Sequence, residues 1–171
     1  GIRIPDDSVN STVFNNNVSA VNWGISVSSS AFNITVSHNN VSVVNDYGIS
    51  IDYNSDTNKV SNNEVSADNY GVYIYSDSNN NTITDNDVSI SNDHGIYIYE
   101  SSDNNITNNN VSAGNNYGIH LNITSENNII SNNNVSTRNY SISTYSNSDS
   151  NTISYNDVSA ENGYGIHLYS S

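Results

Sequence analysis

Residues 81–99 read NTITDNDVSISNDHGIYIY, and this stretch decides the fold. Ile83, Val88, Ile90, Ile96 and Ile98 fall in three short runs where apolar and polar residues alternate, and Asn, Asp, Ser and Gly separate the runs. Period-two alternation of β-branched residues marks strands, and no helical period competes with it. Outward from this stretch, Asn-x-Val-Ser recurs with its Val at Val18, Val41, Val65, Val88, Val111, Val135 and Val158, spaced 23 or 24 residues apart. A Gly before an apolar residue recurs in step at Gly1, Gly24, Gly48, Gly71, Gly95, Gly118 and Gly165, with Ser141 as the exception. Another apolar residue stands five positions before each Val, from Val13 through Ile83 to Ile153.

A fixed period outranks any local reading of structure. Three short strands and three turns per 23 or 24 residues describe one coil of a parallel β-helix. The expected fold is all-β, a parallel β-helix of seven coils over residues 1–164 plus a final strand at 165–171, forming a single domain, 1–171, without evident caps. Coils stacked at about 4.8 Å make a prism roughly 34 Å tall, with equivalent residues in ladders along its axis.

Composition fits such a thin core. The chain has 171 residues, among them 37 Asn and 32 Ser, but only 39 Ile, Val, Leu and Phe together. Stacked coils share one narrow core, so few large aliphatics suffice. With no Cys there is neither a disulfide nor a thiolate metal site. Three basic residues against 17 acidic ones, a net charge of -14, exclude a nucleic-acid partner. No apolar run is long enough for membrane insertion by a helix.

Two polar or aromatic columns stand out. Two residues before each Val lies an Asn: Asn16, Asn39, Asn63, Asn86, Asn109, Asn133 and Asn156. These are expected to tolerate a left-handed backbone at a corner and to form a stacked amide ladder. Before each Gly or its equivalent stands an aromatic column: Trp23, Tyr47, Tyr70, His94, Tyr117, Tyr140 and Tyr164. Alternation counted back from the strand points this column inward at the corner, unless a turn rotates it outward.

These units, including NNITNNNVSAGNNYGIHL at 104–121, resemble the right-handed parallel β-helix repeats of the pectin-lyase-like superfamily. They are most similar to the Asn/Ser-rich surface proteins of methanogenic archaea. The resemblance implies the fold over essentially the whole chain. Its members include pectate lyases, polygalacturonases and surface proteins, so it implies no single activity.

Catalytic residues are not expected. The Asp residues read mostly as turn formers, and no Gly-His-Gly or Arg-x-Lys element of the hydrolase type occurs. Arg3, Lys59 and Arg138 do not cluster, and the negative charge disfavours polyuronates. A loose acidic column, Asp56, Asp103, Glu126 and Asp149, offers structural calcium a place to bridge like charges. His38, His94, His120 and His167 occupy different places in their units, so no shared metal is expected. Six tyrosines, Tyr73, Tyr75, Tyr97, Tyr99, Tyr145 and Tyr169, gather on the outward side of one strand and make a candidate binding face for sugar rings or another chain. Asn17, Asn40, Asn110 and Asn134 are sequons on a solvent-facing column and are candidate glycosylation sites in an exported protein.

Both ends read as open strand edges, which pair readily with another chain. The sequence therefore leads to a non-enzymatic extracellular structural protein, a subunit of a surface fibre, sheath or surface layer that associates end to end. The alternative is a carbohydrate-binding or carbohydrate-processing domain of a larger secreted protein, with glycans as partners.

Overall fold

The computed structural model describes residues 1–169. Its strands form three parallel sheets that close a prism: one of eight strands and two of seven. The eight-stranded sheet, hereafter the long sheet, contains Ile2–Ile4, Trp23–Ser28, Tyr47–Asp52, Tyr70–Tyr75, His94–Tyr99, Tyr117–Asn122, Tyr140–Thr144 and Tyr164–Leu168. The expected coil architecture is thus present, and only Ser170 and Ser171 of the expected final strand lie outside the described residues. Register follows the repeat: Val65 pairs with Val88 and Val88 with Val111, one coil apart. Ile49, Ile74, Ile96, Ile119, Ile83, Ile106 and Val88 are fully buried in one continuous core.

The Asn ladder is the polar counterpart of that core. Asn63, Asn86, Asn109 and Asn133 are each about 2% exposed or less. Oδ1 of Asn86 accepts from both the backbone N–H and the side-chain amide of Asn63, each at 3.0 Å, while Asn86 Nδ2 donates to the Val60 carbonyl. A second ladder runs through Asn58, Asn81, Asn104 and Asn128, and a buried serine ladder through Ser55, Ser78 and Ser101. Burial is tolerable because nearly every amide finds partners above and below.

Two local expectations are corrected. The left-handed residues are not the ladder asparagines but their predecessors, Asn15, His38, Asn62, Asp85, Asn108, Asn132 and Tyr155. The ladder Asn serves the amide chain alone. The aromatic column, too, faces outward, with Trp23 63% and Tyr164 60% exposed. The physical reason is a kink at the Gly. A Cβ built on Gly71 would lie 2.2 Å from Val88 Cγ1, so Gly71 faces the core, and its neighbour Val72 is also fully buried. Two successive inward residues break the alternation in every coil without changing the one-to-one register, and Tyr70 and Tyr73 both emerge on the outer face. No glycine has positive φ, so the position needs Gly for space.

Candidate functional site

The kink places three outward columns side by side on the long sheet. The first is the aromatic column; the others lie two and four residues after the Gly. In register, the second runs Arg3, Ser26, Ser50, Tyr73, Tyr97, His120, Ser143 and His167. The third includes Ser28, Asp52, Tyr75, Tyr99 and Asn122.

From the fourth coil upward rings dominate the columns, interrupted by Asn122 and Ser143. Tyr73 lies parallel to Tyr47, Tyr70, Tyr75 and Tyr97 at centroid separations of 4.8 to 5.4 Å. The ladder continues through His94, Tyr117 and Tyr140. Of the expected binding face, Tyr73, Tyr75, Tyr97 and Tyr99 are therefore brought together, and Tyr145 stacks on Tyr169 at 4.4 Å further along. Their faces are turned largely toward one another. Burial pushes the hydroxyls of Tyr70, Tyr73 and Tyr75 well above the usual phenol range, so they remain donors.

In the lower coils Ser26, Ser28, Ser50 and Asp52 replace the rings, and a groove of about 540 Å³ opens over them. Trp23 and Tyr47 flank it, and Tyr53, Tyr73 and Tyr75 line it where the ladder resumes. Asp52 ends the strand Tyr47–Asp52 and is 9% exposed. Its Oδ1 has no hydrogen-bond partner. Burial raises its pKa to about 6, against a lowering by Arg3, while Asp6 adds to the rise. Arg3 itself is paired with Asp6 at 2.9 Å. A carboxyl poised near neutrality in an aromatic-walled groove is suited to proton transfer.

A second constellation lies within the ring ladder. His94 Nδ1 is 2.7 Å from Asp93 Oδ1, a close contact but not a straight hydrogen bond. His94 Nε2 and His120 Nδ1 are 2.8 Å apart, with ring centroids at 5.0 Å and planes within 6°. Two ring radii added to the N···N distance account for the centroid separation, so the imidazoles lie edge to edge in one plane, joined by an N–H···N bond. Such a pair has no room for a metal between its nitrogens. Burial, then His94, lowers the His120 pKa to about 3, against the pull of Asp93, so His120 is neutral. The sequence gives a signal for this pair, because residues 94 and 120 are one coil plus three positions apart. Only the kink at the Gly makes that offset a contact.

The remaining candidates separate. Asp103 leaves the expected acidic column: it has positive φ beside Asn80 and Asn127, whereas Asp56 is followed in its own column by Asn79 and Ser102. Neutral side chains thus break the carboxylate rank expected for calcium. Among the described residues no group of three His, Cys, Asp or Glu side chains could hold a metal. Asn17, Asn40, Asn110 and Asn134 are exposed on one outer column, shared with Glu64 and Asp87.

A family model described as a right-handed beta helix region matches residues 1–88 and 23–171. Among solved structures, a periplasmic alginate epimerase superposes with a TM-score of 0.67 at 16% identity, covering 94% of this chain and 48% of its own. A DFA-IIIase from Arthrobacter chlorophenolicus gives 0.61 at 17% identity, covering 78% and 30%. The A-module of a mannuronan C-5 epimerase from Azotobacter vinelandii gives 0.52 at 13% identity, covering 94% and 63%. This chain thus spans from under a third to under two thirds of those proteins' lengths, and the likeness is one of fold. Among curated proteins, no sequence matches the chain. The expectation of a non-enzymatic protein is corrected here: solved proteins sharing the fold are named as carbohydrate-active enzymes. The groove also holds a carboxyl that the turn-former reading passed over.

Proposed function

The chain belongs to the right-handed β-helix family, and on that scaffold we propose that the groove over Ser26, Ser50 and Asp52 binds a carbohydrate chain and processes it by proton transfer at Asp52. The observation that carries this reading is Asp52 itself: buried, with an unpartnered oxygen and a pKa raised to about 6, on the floor of an aromatic-flanked groove. The names of two fold neighbours support it, since they are an alginate epimerase and a mannuronan C-5 epimerase. The serine hydroxyls and the protonated tyrosines supply the donors and acceptors that sugar hydroxyls need. The net charge of -14 and the pairing of Arg3 with Asp6 favour an uncharged glycan over a polyuronate.

A panel of neutral oligosaccharides, followed by calorimetry for binding and mass spectrometry for products, tests the reading. Asp52→Asn should keep binding within about threefold but lower turnover by about a hundredfold or more. The wild-type rate should have one titration limb near pH 6. Undiminished turnover in Asp52→Asn, or no binding by any glycan, sinks the proposal.

A further inference from the structure

Resting on the carbohydrate reading, we infer that the groove accepts the terminus of a neutral glycan, stopped against a wall of tyrosines and seated about one sugar per coil. The groove is a run of rungs where columns two and three both lack rings; further up, Asn122 and Ser143 each interrupt only one column of their coil. Column two carries Ser26 and Ser50 where Tyr73, Tyr97 and His120 stand above; column three carries Ser28 and Asp52 below Tyr75 and Tyr99. The vacancy ends where both columns turn aromatic together, at Tyr73 and Tyr75.

That end is braced. Tyr73 and Tyr75 are parallel to 7° at 4.8 Å, Tyr97 supports Tyr73 from the next coil at 5.2 Å, and Tyr53 packs edge-on against Tyr75 at 5.0 Å. Five further contacts tie these rings and Tyr70 into the filled ladder. A chain lying along the axis over Ser26 and Ser50 meets this wall and cannot continue across it. Successive coils rise by about 4.8 Å, close to the length of one sugar in an extended chain, so each vacant rung takes one residue. The sugar against the wall lies over Ser50 and Asp52, two residues apart on the outer face of one strand. Asp52 therefore acts on the terminal residue or its linkage and not within the chain.

One oligosaccharide, chosen from the neutral panel as the best binder, is immobilised through one end, through the other, or through both. Binding should persist for one single attachment and weaken about tenfold or more when both ends are blocked. Tyr73→Ala combined with Tyr75→Ala, which removes the wall in both columns, should restore binding to the doubly attached sugar. A second measurement needs no variant: turnover of a longer oligosaccharide should release or alter terminal residues first. Equal binding to singly and doubly attached sugar, or internal products from the outset, overturns the inference while leaving the carbohydrate reading intact. If no glycan in any attachment binds, both fall together.

Discussion

The outer face of the long sheet is the same surface built two ways. Over Tyr73, Tyr97 and His120 each rung supplies a ring, and the rings satisfy one another. Over Ser26 and Ser50 the backbone, register and kink are the same, but the rings are missing and a groove stands in their place. The difference teaches that a β-helix makes a site by omission. The ladder sets a repeating slot, and a coil that declines to fill it leaves a ligand-sized vacancy whose walls are already rigid. Charge follows the same division. In the filled region Asp93 is held low; in the vacant one Asp52 is held high.

The strongest way to break the comparison is to fill the gap. Ser50→Tyr places a ring directly below Tyr73 in the same column. It should weaken glycan binding by about a hundredfold, while adding an aromatic pair worth about 0.5–1.5 kcal/mol to stability. Titration calorimetry beside thermal unfolding separates the two effects, and intact binding would show that the vacancy is not the site.

The reverse experiment opens a gap in the filled region. Tyr97→Ser removes a half-buried ring that lies 4.5 Å from His94 and 5.2 Å from both Tyr73 and His120. The cost should be about 2–4 kcal/mol in urea unfolding. A negligible loss would mean that the rings are ornament and that the ladder does not hold the wall of the groove.

How much of this could be read beforehand depended on distance along the chain. The repeat fixes which residues are axial neighbours, so the Asn63 and Asn86 amides and the core Ile and Val columns follow from spacing alone. Lateral neighbours do not follow, because they depend on whether alternation survives the corner. At Gly71 and its copies it does not, and the kink there reverses the aromatic column, joins His94 to His120 and sets Tyr70 beside Tyr73. Asp52 was hidden for another reason: acids in this chain are mostly turn residues, and only its place in a strand, at a position where other coils carry Tyr, distinguishes it. The wall and groove are properties of side-chain volume summed over adjacent columns, which no single column reveals.

Acid and base should act oppositely on the two regions. Asp52 has a folded pKa of about 6, above its usual 3.8, so the folded state binds more protons between these values. Stability from this group is present at low pH and is lost as pH rises from about 4 to 6. For Asp93, burial alone would raise the pKa, but contacts from His94, Asn116 and Tyr70 outweigh it and hold the value at about 2. Its contribution is present above about pH 4 and is lost as pH falls toward 2. His120, kept neutral down to about pH 3, adds a loss of stability as pH falls below its ordinary value of 6.5. Both carboxyls are partly solvated, so each is worth about 1 kcal/mol after screening. At pH 7, Asp52→Asn should thus raise the unfolding midpoint and Asp93→Asn should lower it, and shifts of the same sign in denaturation curves would contradict the assignment.

The smallest effect separates ring from hydroxyl. Tyr97 Oη accepts a hydrogen bond from Asn122 Nδ2 at 3.1 Å, where Asn122 interrupts the third column. Tyr97→Phe keeps the stacking with Tyr73 and His94 and deletes that bond. Because Tyr97 and Asn122 are half-buried, water can replace part of what is lost, and the expected cost is about 0.5–1 kcal/mol. Glycan binding in the groove should be unchanged, since Tyr97 touches it only through Tyr73. If Tyr97→Phe cost as much as Tyr97→Ser, the hydroxyl network and not the stack would be the element that holds the filled region together. The wall of the groove would then depend on polar contacts that acid or urea could loosen, and the two regions would differ less in rigidity than their rings imply.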